Sequence, residues 1–260
     1  MSRTNFKELL DSGVHFGHLK KKWNPGMTPY VFMERNGIHI IDLNKTVSML
    51  DEAAAAMKQI AKSGRSILFV ATKKQAKTIV SEFAQSVNMP YITERWPGGL
   101  LTNFSTIRKS IKKMDTIDKM ATDGTLDTLS KRERLQISRT REKLDRNLGS
   151  IASMNRMPSA IFIVDINKEH IAVAEAAKLG IPTFAMVDTN SDPNQISYPI
   201  PSNDDSSKSI SKIMGIVTEA VKEGLADREQ ANAVKAQEKA DKKAAEAKKE
   251  ESTESTEKTK

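Results

Sequence analysis

Short apolar segments alternate with helical segments through most of the chain, and this alternation limits the possible folds more than any other feature. Residues 67–71 and 90–92 are apolar runs, and a helical pattern over 73–87 separates them. The pattern resumes with apolar runs at 160–164 and 182–187 and with helical segments at 168–179 and 206–223. Because the runs are apolar at nearly every position, both faces of the sheet must be covered, as in parallel sheets. The sequence therefore predicts an α/β fold with a mainly parallel sheet flanked by helices.

Turn and cap residues agree with these boundaries. Gly64 and Gly180 follow predicted helices, where a left-handed C-terminal cap favours glycine. Asn44 is placed to cap a helix over 45–63. An Asn-Gly pair at Asn36 lies between two apolar runs, which predicts a β-hairpin at about 30–41.

Residues 103–152 interrupt the alternation. The segment is too long for a simple crossover between strands, and its apolar residues recur at helical spacings of three, four and seven. A turn sequence around Gly124 divides it, so we predict an antiparallel two-helix, coiled-coil hairpin that protrudes from the body. The predicted units are an α/β body at 1–102 and 153–225, a helical hairpin at 103–152 and a charged tail at 226–260.

The tail differs in composition from the rest of the chain. It is rich in Ala, Lys and Glu and has no aromatic residue, so it has little apolar surface to bury against the entropy of ordering. We expect a disordered, mobile extension at 226–260. A helix that joins a coiled coil with a partner is the alternative.

The positive charge is concentrated in the predicted folded part. The 41 basic and 33 acidic side chains give a formal net charge of +8, and residues 227–260 hold nine of each sign. The whole excess therefore lies on residues 1–226, and residues 104–152 alone have twelve Lys or Arg against seven Asp or Glu. A cationic folded surface attracts polyanions, of which nucleic acid is the commonest inside a cell.

Basic clusters define a candidate RNA-binding surface. They lie near the N-terminus, after the first parallel strand, before a glycine pair and along the helical hairpin. The candidates are Lys20, Lys21, Lys22, Trp23, Lys73, Lys74, Arg95, Arg108, Lys109, Lys112, Lys113, Arg132, Arg134, Arg139 and Arg141. Such side chains neutralise phosphates and release counterions. Solvated surface charge is the competing interpretation for each of them, and the hairpin is alternatively a protein-docking arm.

No catalytic or cofactor site is predicted. Parallel sheets often bind nucleotides at the carboxyl ends of their strands, yet neither GxGxxG nor GxxxxGK[ST] occurs, and no GxSxG elbow is present. The absence of cysteine excludes disulfides, thiolate nucleophiles and Cys-based metal sites. We expect a protein that is not an enzyme, with no cofactor and no small-molecule substrate. The rival is an enzyme that uses the strand-end loops around Asp165, Asp188 and Asp192.

Two histidines have a spacing that is found in metal sites. His15 and His18 form a His-x-x-His pair, and a carboxylate from the strand-end loops would complete a zinc site. The candidate carboxylates are Asp188, Asp192, Asp204 and Asp205. Packed, hydrogen-bonded histidines are more common in such a setting, so no metal site is predicted.

The segment Pro97–Gly98–Gly99 has two interpretations. Adjacent glycines permit a close approach that side chains would block. A tight turn with Trp96 at the edge of the core is the structural interpretation, and we favour it. Contact of Arg95 and the glycine backbone with RNA is the functional one.

Several long motifs occur in a fixed order along the chain. They are LDSGVHFGH at 10–18, RNGIHIIDL at 35–43, RWPGGLLTN at 95–103, PSAIFIVD at 158–165, VDTNSDP at 187–193 and IPSNDD at 200–205. In these motifs the chain resembles the ribosomal protein S-two family, the second protein of the bacterial small ribosomal subunit. Together the motifs extend through nearly the whole predicted body.

The resemblance implies a Rossmann-like or flavodoxin-like body with a protruding helical hairpin. It also implies a structural constituent of the small ribosomal subunit that supports translation, contacts 16S ribosomal RNA and neighbouring ribosomal proteins, and helps to place ribosomal protein S-one. It implies nothing for the tail. Without a signal segment or an apolar run long enough for a membrane, we expect the protein to be cytoplasmic.

Overall fold

The structure consists of eight strands and seven helices, besides short 3-10 turns, over the residues that it describes. It is a computed structural model that describes residues 3–257, with the side chains of residues 3–126 and 128–233. The strands are β1 (Phe16–Leu19), β2 (Val31–Arg35), β3 (Ile38–Ile41), β4 (Ile67–Val70), β5 (Tyr91–Ile92), β6 (Ala160–Val164), β7 (Thr183–Val187) and β8 (Tyr198–Pro201). The helices are α1 (Phe6–Asp11), α2 (Leu43–Lys62), α3 (Lys77–Ser86), α4 (Phe104–Thr122), α5 (Lys131–Leu148), α6 (His170–Leu179) and α7 (Ser207–Glu257).

The central sheet has five parallel strands in the order β5-β4-β6-β7-β8. Every residue of β4, β6 and β7 is buried, because helices cover both faces of the sheet. Counted along the sheet, this is the flavodoxin-like order 2-1-3-4-5, and its topological switch point lies between β4 and β6. The predicted fold class is confirmed.

The two faces of the sheet have separate cores. On one face, the adjacent residues Phe69, Phe162 and Phe184 of neighbouring strands pack under α2, α3 and α7. On the other face, α6 and the base of the helical hairpin cover the strand residues that point the opposite way, such as Leu68, Ile161 and Ala185. Within the described residues no helix is both long and apolar enough to cross a membrane.

Two strands escaped the sequence prediction. β8 contains Pro199 and Pro201, and proline is depleted in strands because it cannot donate to the ladder; here β8 lies at the edge of the sheet. β1 is short and contains Gly17. A Cβ atom on Gly17 would lie 2.6 Å from Cγ2 of Thr189, so only glycine lets β1 lie this close to the loop after β7. The predicted hairpin of β2 and β3 is present, with Asn36 and Gly37 at φ 52° and 74°.

Two helix starts differ from the prediction. Asp42, not Asn44, caps α2, and its Oδ1 accepts a hydrogen bond of 3.0 Å from the backbone N–H of Asn44. α3 begins at Lys77 instead of residue 73. Residues 74–76 form a turn before it, and ahead of this turn the backbone N–H of Thr72 donates to Oε1 of Glu169 at 3.0 Å.

The predicted helical hairpin is present as α4 and α5. Ile111, Met114 and Ile117 are buried along α4, and a capping box of Ser130 and Glu133 begins α5. The predicted turn around Gly124 is present between the helices, and Gly124 has a φ of 70°.

The carboxylate of Glu175 in α6 holds the loop that leads into the hairpin. Its Oε1 accepts hydrogen bonds from Nε1 of Trp96 at 3.1 Å and the backbone N–H of Gly99 at 2.7 Å. Its Oε2 accepts from the backbone N–H groups of Leu101 and Thr102 at 2.9 and 3.1 Å. Burial raises the pKa of Glu175, but these donors lower it more, so its pKa lies below the usual value. The Pro97–Gly98–Gly99 backbone is thus a structural turn, as favoured from the sequence.

The long helix α7 extends beyond the predicted boundary between the body and the tail. Its backbone continues as helix through residue 226 to Glu257. Asp227 lies 3.5 Å from Nζ of Lys58, and the guanidinium of Arg228 lies over Gly64. Residues 227 and 228 therefore contact the body. The last three residues of the predicted mobile extension, 258–260, lie outside the described residues.

We predict that Glu175→Gln destabilises the chain by about 3 kcal/mol, because an amide replaces a carboxylate that accepts several buried hydrogen bonds. The urea midpoint of the full chain measures the loss. Glu82→Gln, an exposed change in α3, is the matched control and should alter stability by less than about 0.5 kcal/mol. Equal midpoints for the two variants would contradict this role of Glu175.

We predict that Gly224→Ala lowers the free energy of unfolding by about 1–2 kcal/mol. A Cβ atom there would overlap the carbonyl oxygen of Lys58 where α7 crosses α2, and this overlap outweighs the helix propensity gained. Gly215→Ala in the same helix is the control, because its Cβ atom would approach no other atom closer than 3.9 Å. Denaturation curves should show a loss for the first variant and none for the second.

Candidate nucleic-acid interface and strand-end crevice

Most of the predicted basic residues of the hairpin are exposed. Those with exposed side chains are Lys109, Lys112, Lys113, Arg132, Arg134 and Arg139. The spacing of three and four residues places the lysines of this set on one face of α4. Together these side chains form the part of the hairpin that can meet phosphates, and we call them the hairpin cations.

Two predicted hairpin residues instead hold the hairpin in place. Arg108 donates to the backbone oxygen of Met154 at 3.0 Å and to Oδ1 of Asn155 at 2.8 Å, which joins α4 to the chain after α5. Arg141 donates from Nε to Oδ1 of Asp118 at 2.6 Å and links α5 to α4. This hydrogen bond raises the pKa of Arg141. The structure therefore gives both arginines a positioning role.

A groove of about 730 Å³ lies between the two hairpin helices. Ile117, Met120 and Ile137 contribute apolar surface, and the lysines of α4 lie along it. Leu135 of α5, which is close in sequence to Ile137, is 52% exposed to solvent. Apolar surface beside positive charge is compatible with the docking-arm alternative.

The N-terminal lysines lie on a short 3-10 turn after β1. Lys20, Lys21 and Lys22 are all exposed, and Nζ of Lys20 lies 2.7 Å from Oε2 of Glu34. Trp23 stacks on the buried ring of His39, with ring centroids 5.2 Å apart. Trp23 therefore anchors this turn, and the lysines are its accessible part.

Lys73, a predicted RNA contact, is engaged by carboxylates within the protein. Its side chain is only 12% exposed, and Nζ lies 2.7 Å from Oδ1 of Asp204, 2.6 Å from Oδ1 of Asp205 and 3.5 Å from Oδ2 of Asp165. Burial lowers the pKa of Lys73, but the three carboxylates raise it more. The neighbouring Lys74 is exposed, as is Arg95 before the glycine turn, so both remain candidates.

Lys73 is part of a charged cluster in the crevice at the carboxyl ends of the parallel strands. Asp165 follows β6, Asp188 follows β7, and Asp204 and Asp205 follow β8. Because parallel strands end at the same edge of the sheet, residues far apart in sequence meet there.

His18 of β1 completes this cluster. Its Nδ1 lies 3.0 Å from Oδ2 of Asp188, and its Nε2 lies 3.3 Å from Oδ2 of Asp205. The close packing of Gly17 on Thr189 sets this position, since the backbone N–H of His18 donates to Oγ1 of Thr189 at 2.8 Å. We call His18, Lys73, Asp165, Asp188, Asp204 and Asp205 the crevice cluster.

His15 and Asp192, which the sequence suggested as candidate metal ligands, make their contacts outside the crevice cluster. The ring of His15 packs on Phe16, with centroids 4.0 Å apart, and burial lowers its pKa. The carboxylate of Asp192 accepts from the backbone N–H of Asn194 at 3.1 Å and caps a local turn. The His-x-x-His spacing therefore supplies only one histidine to the crevice.

Burial makes Asp204 of the crevice cluster costly to ionise, because it lies close to other carboxylates and away from water. Asp188 and Asp204 are 1% and 0% exposed. Burial, with the nearby charges of Asp188 and Asp165, raises the pKa of Asp204 to about 7 in spite of Lys73. The hydrogen bond with Asp188 raises the pKa of His18. Four carboxylates thus share one ammonium group and one imidazole.

The sequence prediction missed Glu175 and the lysine at the centre of the crevice. Glu175 had a detectable signal, because it lies on the face of α6 that also buries Ala172 and Ala176. An acidic residue on a buried helix face implies partners that satisfy its charge. Lys73 had no such signal, since a lysine in a turn is usually solvated.

Comparisons with known proteins agree with the fold and the motifs. Residues 9–224 match the family described as Ribosomal protein S2. The chain is 66% identical over 228 residues to small ribosomal subunit protein uS2 of Parabacteroides distasonis, covering 88% of this chain and 82% of the relative. It is 64% identical over 239 residues to the protein of that name from Flavobacterium johnsoniae, covering 92% and 94%. The chain belongs to the ribosomal protein S2 family and is a structural, non-enzymatic protein of the small ribosomal subunit.

Proposed function

We propose that the chain binds 16S ribosomal RNA through the hairpin cations and the N-terminal lysines, and so supports translation as a fixed part of the small subunit. The single observation that supports this most is the exposure of the hairpin cations on a hairpin that two arginines and Glu175 hold in place. The cytoplasm, where ribosomes assemble, is its place of action.

The physical basis is electrostatic. Each lysine or arginine that neutralises a phosphate releases condensed counterions, so affinity falls steeply with salt. Contacts of this kind fix position and orientation and read little base sequence. Because the hairpin is braced at its base, its charges keep a fixed geometry relative to the body. RNA of complementary shape is therefore recognised with a smaller loss of entropy.

Neighbouring ribosomal proteins are the second class of partner. The apolar groove between α4 and α5 favours a protein contact, because RNA phosphates gain nothing from apolar side chains such as Met120 and Ile137. The resemblance to the family adds ribosomal protein S-one to the proposed partners. In this proposal the same hairpin contacts RNA with its charged residues and protein with its groove.

We predict that the triple variant Lys109→Glu, Lys112→Glu and Lys113→Glu reduces occupancy in purified small subunits several-fold. Its affinity for 16S RNA should fall, and the slope of log affinity against log salt should decrease by about 1 for each phosphate that is no longer neutralised. Quantitative mass spectrometry of gradient-purified subunits and salt titration of RNA binding are the measurements.

The matched control reverses three exposed lysines of the body, Lys178, Lys208 and Lys222. It changes the net charge by the same amount, and we expect near-normal occupancy. Equal losses in both variants would show that overall charge, and not the hairpin, governs binding. Normal occupancy with normal RNA affinity in the hairpin variant would refute the RNA-binding proposal.

A further inference from the structure

We propose that His18, Asp188 and Asp204 form a zinc-binding site in the crevice at the carboxyl edge of the sheet. One potential ligand atom from each residue lies within 4.8 Å of the others. The three residues come from β1 and from the loops after β7 and β8, so only the folded chain brings them together. This revises the expectation from the sequence that no metal is bound.

The first argument is an orphaned buried atom. Asp204 is fully buried, and its Oδ1 lies 2.7 Å from Nζ of Lys73, whereas its Oδ2 has no hydrogen-bond partner. A buried carboxylate oxygen without a partner is costly unless a cation or a proton satisfies it. Asp204 is one of the three residues whose ligand atoms lie within 4.8 Å of one another, so a cation held by them would lie beside this carboxylate.

The second argument is the arrangement around Asp188. Its Oδ1 accepts from the backbone N–H of Thr189 at 2.5 Å and from Oγ1 of Thr189 at 3.1 Å. These hydrogen bonds fix the carboxylate so that Oδ2 faces Nδ1 of His18 at 3.0 Å. Metal ligands are commonly held in this way by outer hydrogen bonds.

The third argument is charge. Asp165, Asp188, Asp204 and Asp205 are opposed by Lys73 and, when it is protonated, by His18. A divalent cation bound by neutral His18 would reduce the net charge of these groups from −3 to −1.

The donor set favours zinc. An imidazole nitrogen with carboxylate oxygens suits Zn²⁺, whereas Mg²⁺ and Ca²⁺ prefer oxygen alone. Bond lengths of about 2.0–2.1 Å in a tetrahedral site separate neighbouring ligand atoms by roughly 3.3 Å. The 3.0 Å between His18 and Asp188 is close to that separation.

The site would also connect two parts of the molecule. His18 lies two residues before Lys20, the first of the exposed N-terminal lysines. Zinc would tie β1 to the loops after β7 and β8 and so hold this basic turn against the body. The RNA-binding proposal does not depend on this, because the hairpin cations lie on another element.

The test is zinc titration of the full-length chain, purified without a histidine tag and freed of metal with a chelator. Isothermal titration calorimetry should give one Zn²⁺ per chain, and excess zinc should raise Tm by several degrees. Millimolar Mg²⁺ should not displace it. A chain that binds no zinc, or gains no stability from it, refutes the site.

Two variants locate the binding. His18→Ala and Asp204→Asn should each lower zinc affinity by at least tenfold and abolish the Tm shift. The amide introduced by Asp204→Asn retains an oxygen for Lys73, and circular dichroism verifies that both variants fold. The matched control His170→Ala removes an exposed histidine of α6 and should leave binding unchanged. Unchanged zinc binding in either site variant would place the metal elsewhere and overturn the proposal.

Discussion

The parallel direction of all five strands in the central sheet is the constraint on which the rest of the structure depends. Each strand has to be followed by a crossover, so helices cover both faces and almost no residue of β4, β6 and β7 meets solvent. The strands also end at one common edge, where the loops after β4, β6, β7 and β8 bring Lys73 and four aspartates together. In many proteins of this topology a nucleotide occupies that crevice. Here charged side chains line it.

The helical hairpin is inserted between β5 and β6, and one buried carboxylate holds the loop that leads into it. Glu175 binds the backbone of the loop before α4, and Arg108 joins α4 to the chain after α5. A hairpin attached only by flexible loops would not hold its charges in a defined direction. The energetic cost of burying Glu175 is offset by its several donors. One of them is the backbone N–H of Gly99, whose φ of 83° is a left-handed conformation that favours glycine.

The basic residues of the chain divide into two groups that their sequence does not distinguish. Arg141 and Lys73 form ion pairs with carboxylates of the same chain, Arg141 at the surface of the hairpin and Lys73 in the crevice. The side chains of the hairpin cations are exposed on the helical hairpin. Net charge therefore overstates the number of basic side chains at the surface, because ion pairs within the protein engage some of them. Trp23, another predicted RNA contact, also has a partner within the protein, because its ring stacks on His39.

The sequence by itself determined the α/β class, the β2–β3 hairpin, the inserted helical hairpin and the family, because apolar periodicity, an Asn-Gly turn and long ordered motifs are local signals. It did not determine β8, whose prolines are tolerated only because it lies at an edge of the sheet. Nor did it determine the cap of α2 or the start of α3. The partners of Glu175, Lys73 and His18 were decided by the tertiary structure alone. Charge pairing and close packing act between atoms that the fold brings together, as with His18 and Asp188, which are 170 positions apart in the chain.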